Sequence, residues 1–503
     1  MNLLYPVTAR MHTLHTLIHG LNARVLVTND EPVRDVVQHS GRVTPGSIFI
    51  ARSGVRRDGA AFIDDAICKG AIAIVCTPEV ASTLQNRNVG VVETCDPCLV
   101  GAEIAERFHN SPSSKLKLIG ITGTNGKTTV AWLVQHILSA SGMKCGMLGT
   151  IVCDDGIQAT QSSLTTPSFC DIGKILHSMV DNGCSAAVME CSSHALDQGR
   201  VAALDFDIGV FTNLSGDHLD YHGSFDSYLQ AKMKLFDIVS SQAIINMDDP
   251  VSWSVAERTT AQVISCRTES DAATAWVEIL EEKLDGSLIR LHGGWGTIEV
   301  RLPLIGRHNA INTLQATAVA HALGVDAQSI ASAIACAKSP PGRLERVEAQ
   351  GANVFVDFAH TDDALEQMLW SVRQVLPEGG KLHVVFGCGG DRDKSKRPRM
   401  GNIASTVGDR VYATSDNPRS EDPECILDEV FTGVPQDRLS LVSRITDRKE
   451  AIRTAITSAA ECDIVVIAGK GHEKNQILKD TVIPFDDVEI ANDIMQKCTP
   501  NTV

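Results

Sequence analysis

Gly123-Thr124-Asn125-Gly126-Lys127-Thr128-Thr129 is the stretch of this chain with the densest chemistry. A glycine-rich turn that opens a helix points backbone N–H groups and the positive helix end at one spot, which suits a polyphosphate. Lys127 is placed to neutralise the outer phosphates, and the Thr128 hydroxyl to ligate Mg²⁺. The strict phosphate-loop pattern wants glycine five residues before Gly126, and Ile121 stands there. The expectation is a nucleotide site, carried by Gly-Lys-Thr-Thr in a strand–helix context.

Other residue types suited to chemistry follow. Ala186-Ala187-Val188-Met189-Glu190 reads as a strand ending in a carboxylate, followed by Cys191-Ser192-Ser193-His194. An acid at a strand tip beside the loop strand can hold Mg²⁺ directly or through water; the plainer reading is a carboxylate at a helix start. A second tip is Phe211-Thr212-Asn213-Leu214-Ser215-Gly216-Asp217-His218, where His218 is either a structural histidine or a second metal ligand. Lys232 sits on the apolar face of an expected helix over 225–238, with Phe225, Tyr228, Leu229, Leu235 and Phe236, while Lys234 and Asp226 point elsewhere. Two readings stay open: a lysine snorkelling to the surface, or a buried amine whose pKa falls and which reacts with CO₂ to give a metal-binding carbamate.

Farther along come Gly306-Arg307-His308-Asn309, then Pro341-Gly342-Arg343 and Asp357-Phe358-Ala359-His360-Thr361. Arg343 can reach back to a phosphate or ribose, so that ATP would bridge two domains. Gly387-Cys388-Gly389-Gly390-Asp391-Arg392-Asp393, Asp416-Asn417-Pro418-Arg419 and Gly469-Lys470-Gly471-His472-Glu473 each follow a strand. Asn417-Pro418 alone reads equally as a helix cap with proline at the first position. Taken together, Arg392, Arg419 and Glu473 are the groups needed to hold a small molecule bearing carboxylates and an ammonium.

The elements that must position these groups are strand–helix repeats. Leu116–Ile121 is a strand-type run, and Val130, Leu133, Val134, Ile137 and Leu138 make the stripe of a helix ending near Gly142. A chain of 503 residues exceeds one core. We expect an α/β protein of three domains. Residues 1–110 form a small α/β unit, 111–338 a central phosphate-loop domain with a mostly parallel sheet, and 339–503 a Rossmann-like domain. Predicted strands are Ser47–Ala51, Ala71–Val75 and Val89–Val92 in the first block, and Val354–Phe358, Leu382–Phe386, Arg410–Ala413 and Asp463–Ala468 in the third.

Composition narrows the function classes. The net charge of −16 argues against nucleic acid as main partner. No apolar run reaches the roughly 18 residues of a membrane span, and Met1 to Gly20 does not read as a signal peptide. The 15 cysteines, many in apolar runs such as those of Cys76, Cys191 and Cys462, suit reduced thiols in the cytoplasm. Cys95-Asp96-Pro97-Cys98 has no companion pair and reads as incidental.

In these motifs the chain resembles the Mur ligase family over nearly its whole length. The resemblance rests on Gly123–Thr129, Thr165-Thr166-Pro167, Met189 to Arg200, Thr212 to His222, Ala231-Lys232, Gly306–Asn309, Gly387–Asp393, Asp416–Arg419 and Gly469–Glu473. It implies an ATP-dependent amide-bond ligase of bacterial, cytoplasmic peptidoglycan synthesis, working as a monomer. In such an enzyme ATP phosphorylates a substrate carboxylate, and an amino acid amine attacks the acyl phosphate. It assigns UDP-MurNAc-L-Ala-D-Glu to Ser40, Thr165, Thr166, Ser192, Gln198 and Arg200, with Val55, Arg56 and Arg57 on the uridine side. Nucleotide and Mg²⁺ fall to Gly123, Thr124, Asn125, Gly126, Lys127, Thr128, Thr129, Glu190, His218, Asn309 and Arg343. Lys232 matches the family's carboxylated lysine, and a carbamate would supply a negative ligand where an ammonium would repel metal.

Asp416-Asn417-Pro418-Arg419 resembles the signature of members that add meso-2,6-diaminopimelate rather than L-lysine. The planar fork of Arg419 suits a distal carboxylate, and Arg392, Gly469 and Glu473 complete that site by the same resemblance. The chain departs from the family at His39-Ser40-Gly41, at Asp362 and at Ser395. The competing classes are a lysine-adding relative, a folylpolyglutamate-synthase relative, a regulatory GTPase and a degenerate scaffold. The sequence lacks the Asn-Lys-x-Asp guanine-reading motif, and Lys127, Glu190, His218 and Lys232 are all present.

Overall fold

In the computed structural model, which describes residues 12–54, 58–268, 271–347 and 352–498, parallel strands with buried apolar runs build three larger sheets. The first contains Arg24–Val27, Gly90–Glu93, Ala71–Cys76, Ser47–Ile50 and Asp35–Val37 in that spatial order. All its pairings are parallel except that of Arg24–Val27. Ala71–Cys76 is buried at every position, as expected for a strand covered on both faces.

The second sheet has eleven strands. Its centre places Lys117–Thr122 between Ala186–Glu190 and Phe206–Phe211, all parallel, with Glu190 level with Ile121 and Phe211 level with Thr122. Three motifs far apart in sequence therefore end side by side at one sheet edge. The helix Lys127–Ala140 packs its Val130, Leu133, Val134, Ile137 and Leu138 face into the core, as its periodicity predicts. Against it lies Arg307–Ala322, whose small residues from Ala310 to Ala320 allow close approach. The sequence reading did not find the strands Gln262–Thr268, Ala275–Lys283, Gly286–Gly293 and Gly296–Leu302. The last three form an antiparallel meander with one solvated face, so polar residues interrupt their apolar runs.

The third sheet runs Glu345–Arg346, Asn353–Asp357, Ile464–Ala468, Leu382–Phe386, Arg410–Ala413, Val442–Arg444. Its last strand in sequence is inserted between two earlier ones, which sets the loop after Ala468 between those after Asp357 and Phe386. Beneath this edge Arg448 and Asp487, both fully buried, form a bidentate pair with N–O distances of 2.9 and 2.7 Å. Arg448→Ala would leave a buried carboxylate without a counterion. We expect a loss of about 3–5 kcal/mol, read as a lowered urea midpoint.

Other expectations need correction. The predicted helix over 225–238 is α-helical only over Phe225–Met233 and tightens to a 3-10 turn at Lys234–Asp237; Phe225, assigned to its buried face, is exposed. Cys76 and Cys191 are buried, but Cys462 is exposed. Asn417-Pro418 starts no helix, since the next begins at Pro423 behind the cap Asp422. Among the described residues no helix is long and apolar enough to cross a membrane.

Candidate active site

Gly123 and Gly126 fold into the loop because no other residue fits. Gly123 has φ +146°, and a Cβ there would meet the Thr212 hydroxyl at 1.9 Å. That hydroxyl donates to Asn125 O at 2.6 Å, while Asn213 accepts from the Asn125 N–H at 2.9 Å and donates to its carbonyl at 3.1 Å. The Thr212-Asn213 pair is thus a brace for the loop, a role the sequence reading did not give it. Ile121, where a further glycine was wanted, is a fully buried strand residue.

A cavity of about 360 Å³ opens above this loop. Thr124 to Thr129, Thr165, Glu190, Ser192, His218, Lys232, Asn309 and Arg343 all line it. Glu190, almost fully buried, is a strand-end carboxylate rather than a helix cap, because Ser192 caps the following helix. It accepts from the Thr128 hydroxyl at 2.9 Å and from the N–H and hydroxyl of Thr150 at 2.7 and 3.0 Å. Thr150 was not foreseen, since no motif marks it. Its hydroxyl also lies 3.1 Å from that of Thr165, tying the Glu190 carboxylate to the Thr165-Thr166 segment.

Lys232 is 1 % exposed, which decides against snorkelling. Its Nζ donates to Gly123 O at 2.7 Å, and Lys127 Nζ donates to the same carbonyl at 2.9 Å. Burial, then the neighbouring Lys127 charge, pushes the Lys232 amine well below its ordinary pKa; burial also lowers Lys127. The Tyr228 ring lies 4.5 Å beneath Lys232 Nζ. His218 stands in a left-handed conformation (φ +55°) 3.4 Å from Asp217, with the His194 ring 4.9 Å away. Burial lowers its pKa to about 4.

Thr166 donates to Glu190 O at 2.7 Å and accepts from the Ser192 N–H at 3.0 Å. Arg200 donates to Thr166 O at 2.8 Å and to the Gln198 side chain at 3.1 and 2.8 Å. Thr166, Ser192, Gln198 and Arg200 therefore form one connected network beside the cavity. Gln198 itself lines a second cavity of about 460 Å³, with Arg52 and Lys234. Ser40 is buried in the first sheet unit, accepting from Lys69 at 3.2 Å, and does not line the central cavity. Val55, Arg56 and Arg57 lie outside the described residues.

From the third sheet, Arg343 stacks 4.6 Å over the Phe358 ring, its Nε buried without a hydrogen-bond partner. Asn125 donates to Asp363 at 3.2 Å across the same gap. Asn309 is buried and donates to Ile305 O at 2.8 Å, an anchor for its helix start. The loops carrying Arg392, Asp416–Arg419 and Gly469–Glu473 meet at one sheet edge. Gly469 (φ +114°) packs against Asp416, and a Cβ there would lie 2.6 Å from its carboxylate. Asn417 donates to Glu473 at 2.8 Å, and Arg419 Nη1 donates to Gly390 O at 2.7 Å. Burial, then the Arg392 charge, lowers the pKa of Arg419. Pro418 is buried, and its carbonyl leaves no room for a side chain at Gly390. Arg392 is exposed at the rim.

The arrangement can bind a polyphosphate, hold a carboxylate nearby, and present a small zwitterion from the third sheet. The Mur ligase middle domain matches residues 121–320, and the Mur ligase glutamate ligase domain matches residues 342–471. UDP-N-acetylmuramoyl-L-alanyl-D-glutamate–2,6-diaminopimelate ligase of Chlamydia felis is 40% identical over 468 residues, 92% of this chain and 94% of its own length. The enzyme of the same name from Synechococcus elongatus is 42% identical over 468 residues, 90% of this chain and 92% of its own length. A solved structure of such a ligase superposes with a TM-score of 0.69 at 30% identity, covering 97% of this chain and 99% of that one. Fold, loop geometry and these likenesses agree: the chain belongs to the Mur ligase family.

Proposed function

We propose that this chain is the ATP-dependent ligase that joins meso-2,6-diaminopimelate to the D-Glu carboxylate of UDP-MurNAc-L-Ala-D-Glu. The observation that carries this reading is one cavity lined by Lys127, Thr165, Glu190, Lys232 and Arg343, with the Arg419 loop at the same end of the third sheet as Asp357–Thr361, which also line it. In the reaction the carboxylate oxygen attacks the γ-phosphorus of ATP and ADP leaves. The amine then attacks the acyl carbon, phosphate departs with the C–O electrons, and the amine gives up a proton.

Gly123 to Thr129 would bind the phosphates, Asn309 and Arg343 would complete the nucleotide site, and Thr165, Thr166, Ser192, Gln198 and Arg200 would hold the acceptor. Ser40 would contact its uridine end from the first unit. Residues 1–110, 111–338 and 339–503 would serve as acceptor, nucleotide and amino-acid domains of a monomer in the bacterial cytoplasm.

Among the described residues no group of three or more His, Cys, Asp or Glu is arranged to hold a metal. Mg²⁺ binds through one or two carboxylates plus substrate phosphates rather than an all-protein cage. The Thr128 hydroxyl and the Glu190 carboxylate, 2.9 Å apart, would be its first ligands, and His218 and a carboxylated Lys232 would add to them. When bound there, Mg²⁺ would offset charge on the phosphoryl oxygens.

The test is phosphate release with ATP, Mg²⁺ and UDP-MurNAc-L-Ala-D-Glu, offering diaminopimelate or L-lysine separately. We expect turnover with diaminopimelate at least about a thousandfold above lysine. Equal turnover would transfer the assignment to a lysine-adding ligase, and none with either would end it.

A further inference from the structure

Lys470 is the least expected residue of the amino-acid loop. It is 0 % exposed, yet its ammonium is fully paired. Its Nζ donates to Asn417 Oδ1 at 3.1 Å, to Glu473 Oε2 at 2.9 Å and to Asn475 O at 2.7 Å. An ammonium has three donors, so all of its capacity is used. Those three acceptors belong to three segments: the Asp416–Arg419 loop, the Gly469–Glu473 loop, and the hairpin strand Asn475–Leu478.

The consequence is an amide that can adopt only one orientation. Asn417 Oδ1 accepts both Lys470 Nζ and the Ile477 N–H, the latter at 2.9 Å. Its Nδ2 is thereby turned to Glu473 Oε2 at 2.8 Å. Both bonds to Glu473 fall on Oε2, and 36 % of that side chain remains exposed. The hairpin held by Lys470 in turn supports Arg419, whose backbone N–H donates to Ile477 O at 3.1 Å. One buried cation therefore aims the carboxylate and, through the hairpin, braces the backbone of Arg419.

Resting on the diaminopimelate reading above, we infer that Lys470 is a positioning residue for amino-acid selection, acting through Asn417 and Glu473 without touching the ligand. A fully buried lysine is costly for folding alone, and an apolar residue of similar length would fill the same space. What methionine cannot do is orient the amide, hold Oε2 and cap Asn475 O at once.

The experiment compares Lys470→Met, Lys470→Gln and Lys470→Ala with the wild-type enzyme. For Lys470→Met we expect the KM for diaminopimelate to rise by about tenfold or more, with the KM values for ATP and UDP-MurNAc-L-Ala-D-Glu within about twofold. Preference over L-lysine should fall by a similar factor. For Lys470→Ala, added n-propylammonium, which restores the missing carbons and charge, should recover most of the KM, a result that mere loss of packing would not give. If Lys470→Met does not accumulate as folded protein, Lys470→Gln carries the test through the same split. An unchanged diaminopimelate KM, an equal rise in all three KM values, or no recovery with propylammonium would overturn the inference. Wild-type enzyme that ignores diaminopimelate would instead overturn the underlying reading.

Discussion

Lys232→Ala is expected to lower turnover by about a thousandfold while the protein remains folded, because in the proposed reaction the residue supplies charge to the reacting centre more than it supplies packing. The geometry makes an ammonium at this position unfavourable. Lys232 and Lys127 both donate to Gly123 O, at 2.7 and 2.9 Å, in a buried pocket. Two cations sharing one carbonyl repel, and burial together with Lys127 drives the Lys232 amine toward its neutral form. A neutral amine can add to CO₂, forming an N–C bond and releasing a proton, and the product is an anion beside Lys127. The discriminating measurement is chemical rescue of Lys232→Ala in the phosphate-release assay. Short-chain carboxylates such as acetate should restore part of the activity. Restoration by propylammonium and not by acetate would mean that the working form is the ammonium.

The second large effect is at Arg419. Arg419→Ala should lower kcat/KM for diaminopimelate by about a thousandfold, since a site built around a distal carboxylate loses its planar fork. The KM for UDP-MurNAc-L-Ala-D-Glu should move by less than about twofold, because that substrate is assigned to Thr165, Thr166, Gln198 and Arg200 on the other sheet. Arg419 has φ +50°, and its Nη1 bond to Gly390 O fixes the guanidinium at the mouth of the cluster. Arg419→Lys keeps the charge but not the fork, so most of the loss should persist. Diaminopimelate kinetics unaltered in Arg419→Ala would sink the assignment of this residue.

Much of this site was legible in the residues. The Gly123–Thr129 loop, the Glu190 strand tip and the Gly469–Glu473 loop each combine a short apolar run with glycine and one functional side chain, a pattern that depends only on local sterics and hydrogen bonding. The strands Leu382–Phe386 and Arg410–Ala413 appear where the apolar runs place them. The meander from Ala275 to Leu302 was missed, because a sheet with one solvated face dilutes the apolar signal with charged residues such as Glu278, Arg290 and Glu299. Thr150, the Thr212-Asn213 brace and Lys470 were missed as working residues for another reason: their partners lie 40, 87 and 53 positions away in the chain.

Local sequence thus specified which groups are present and which secondary elements carry them, since turn chemistry and apolar period act over a few residues. Pairing order was settled only in the folded chain. Lys117–Thr122 lies between two strands that come after it, and Ile464–Ala468 enters between two that come before it. The same holds for the burial of Lys232, which its pattern left open. A helix face says where a side chain points, but its charge state depends on the solvent excluded and the cations brought near, and Gly123 and Lys127 reach it from more than a hundred residues away.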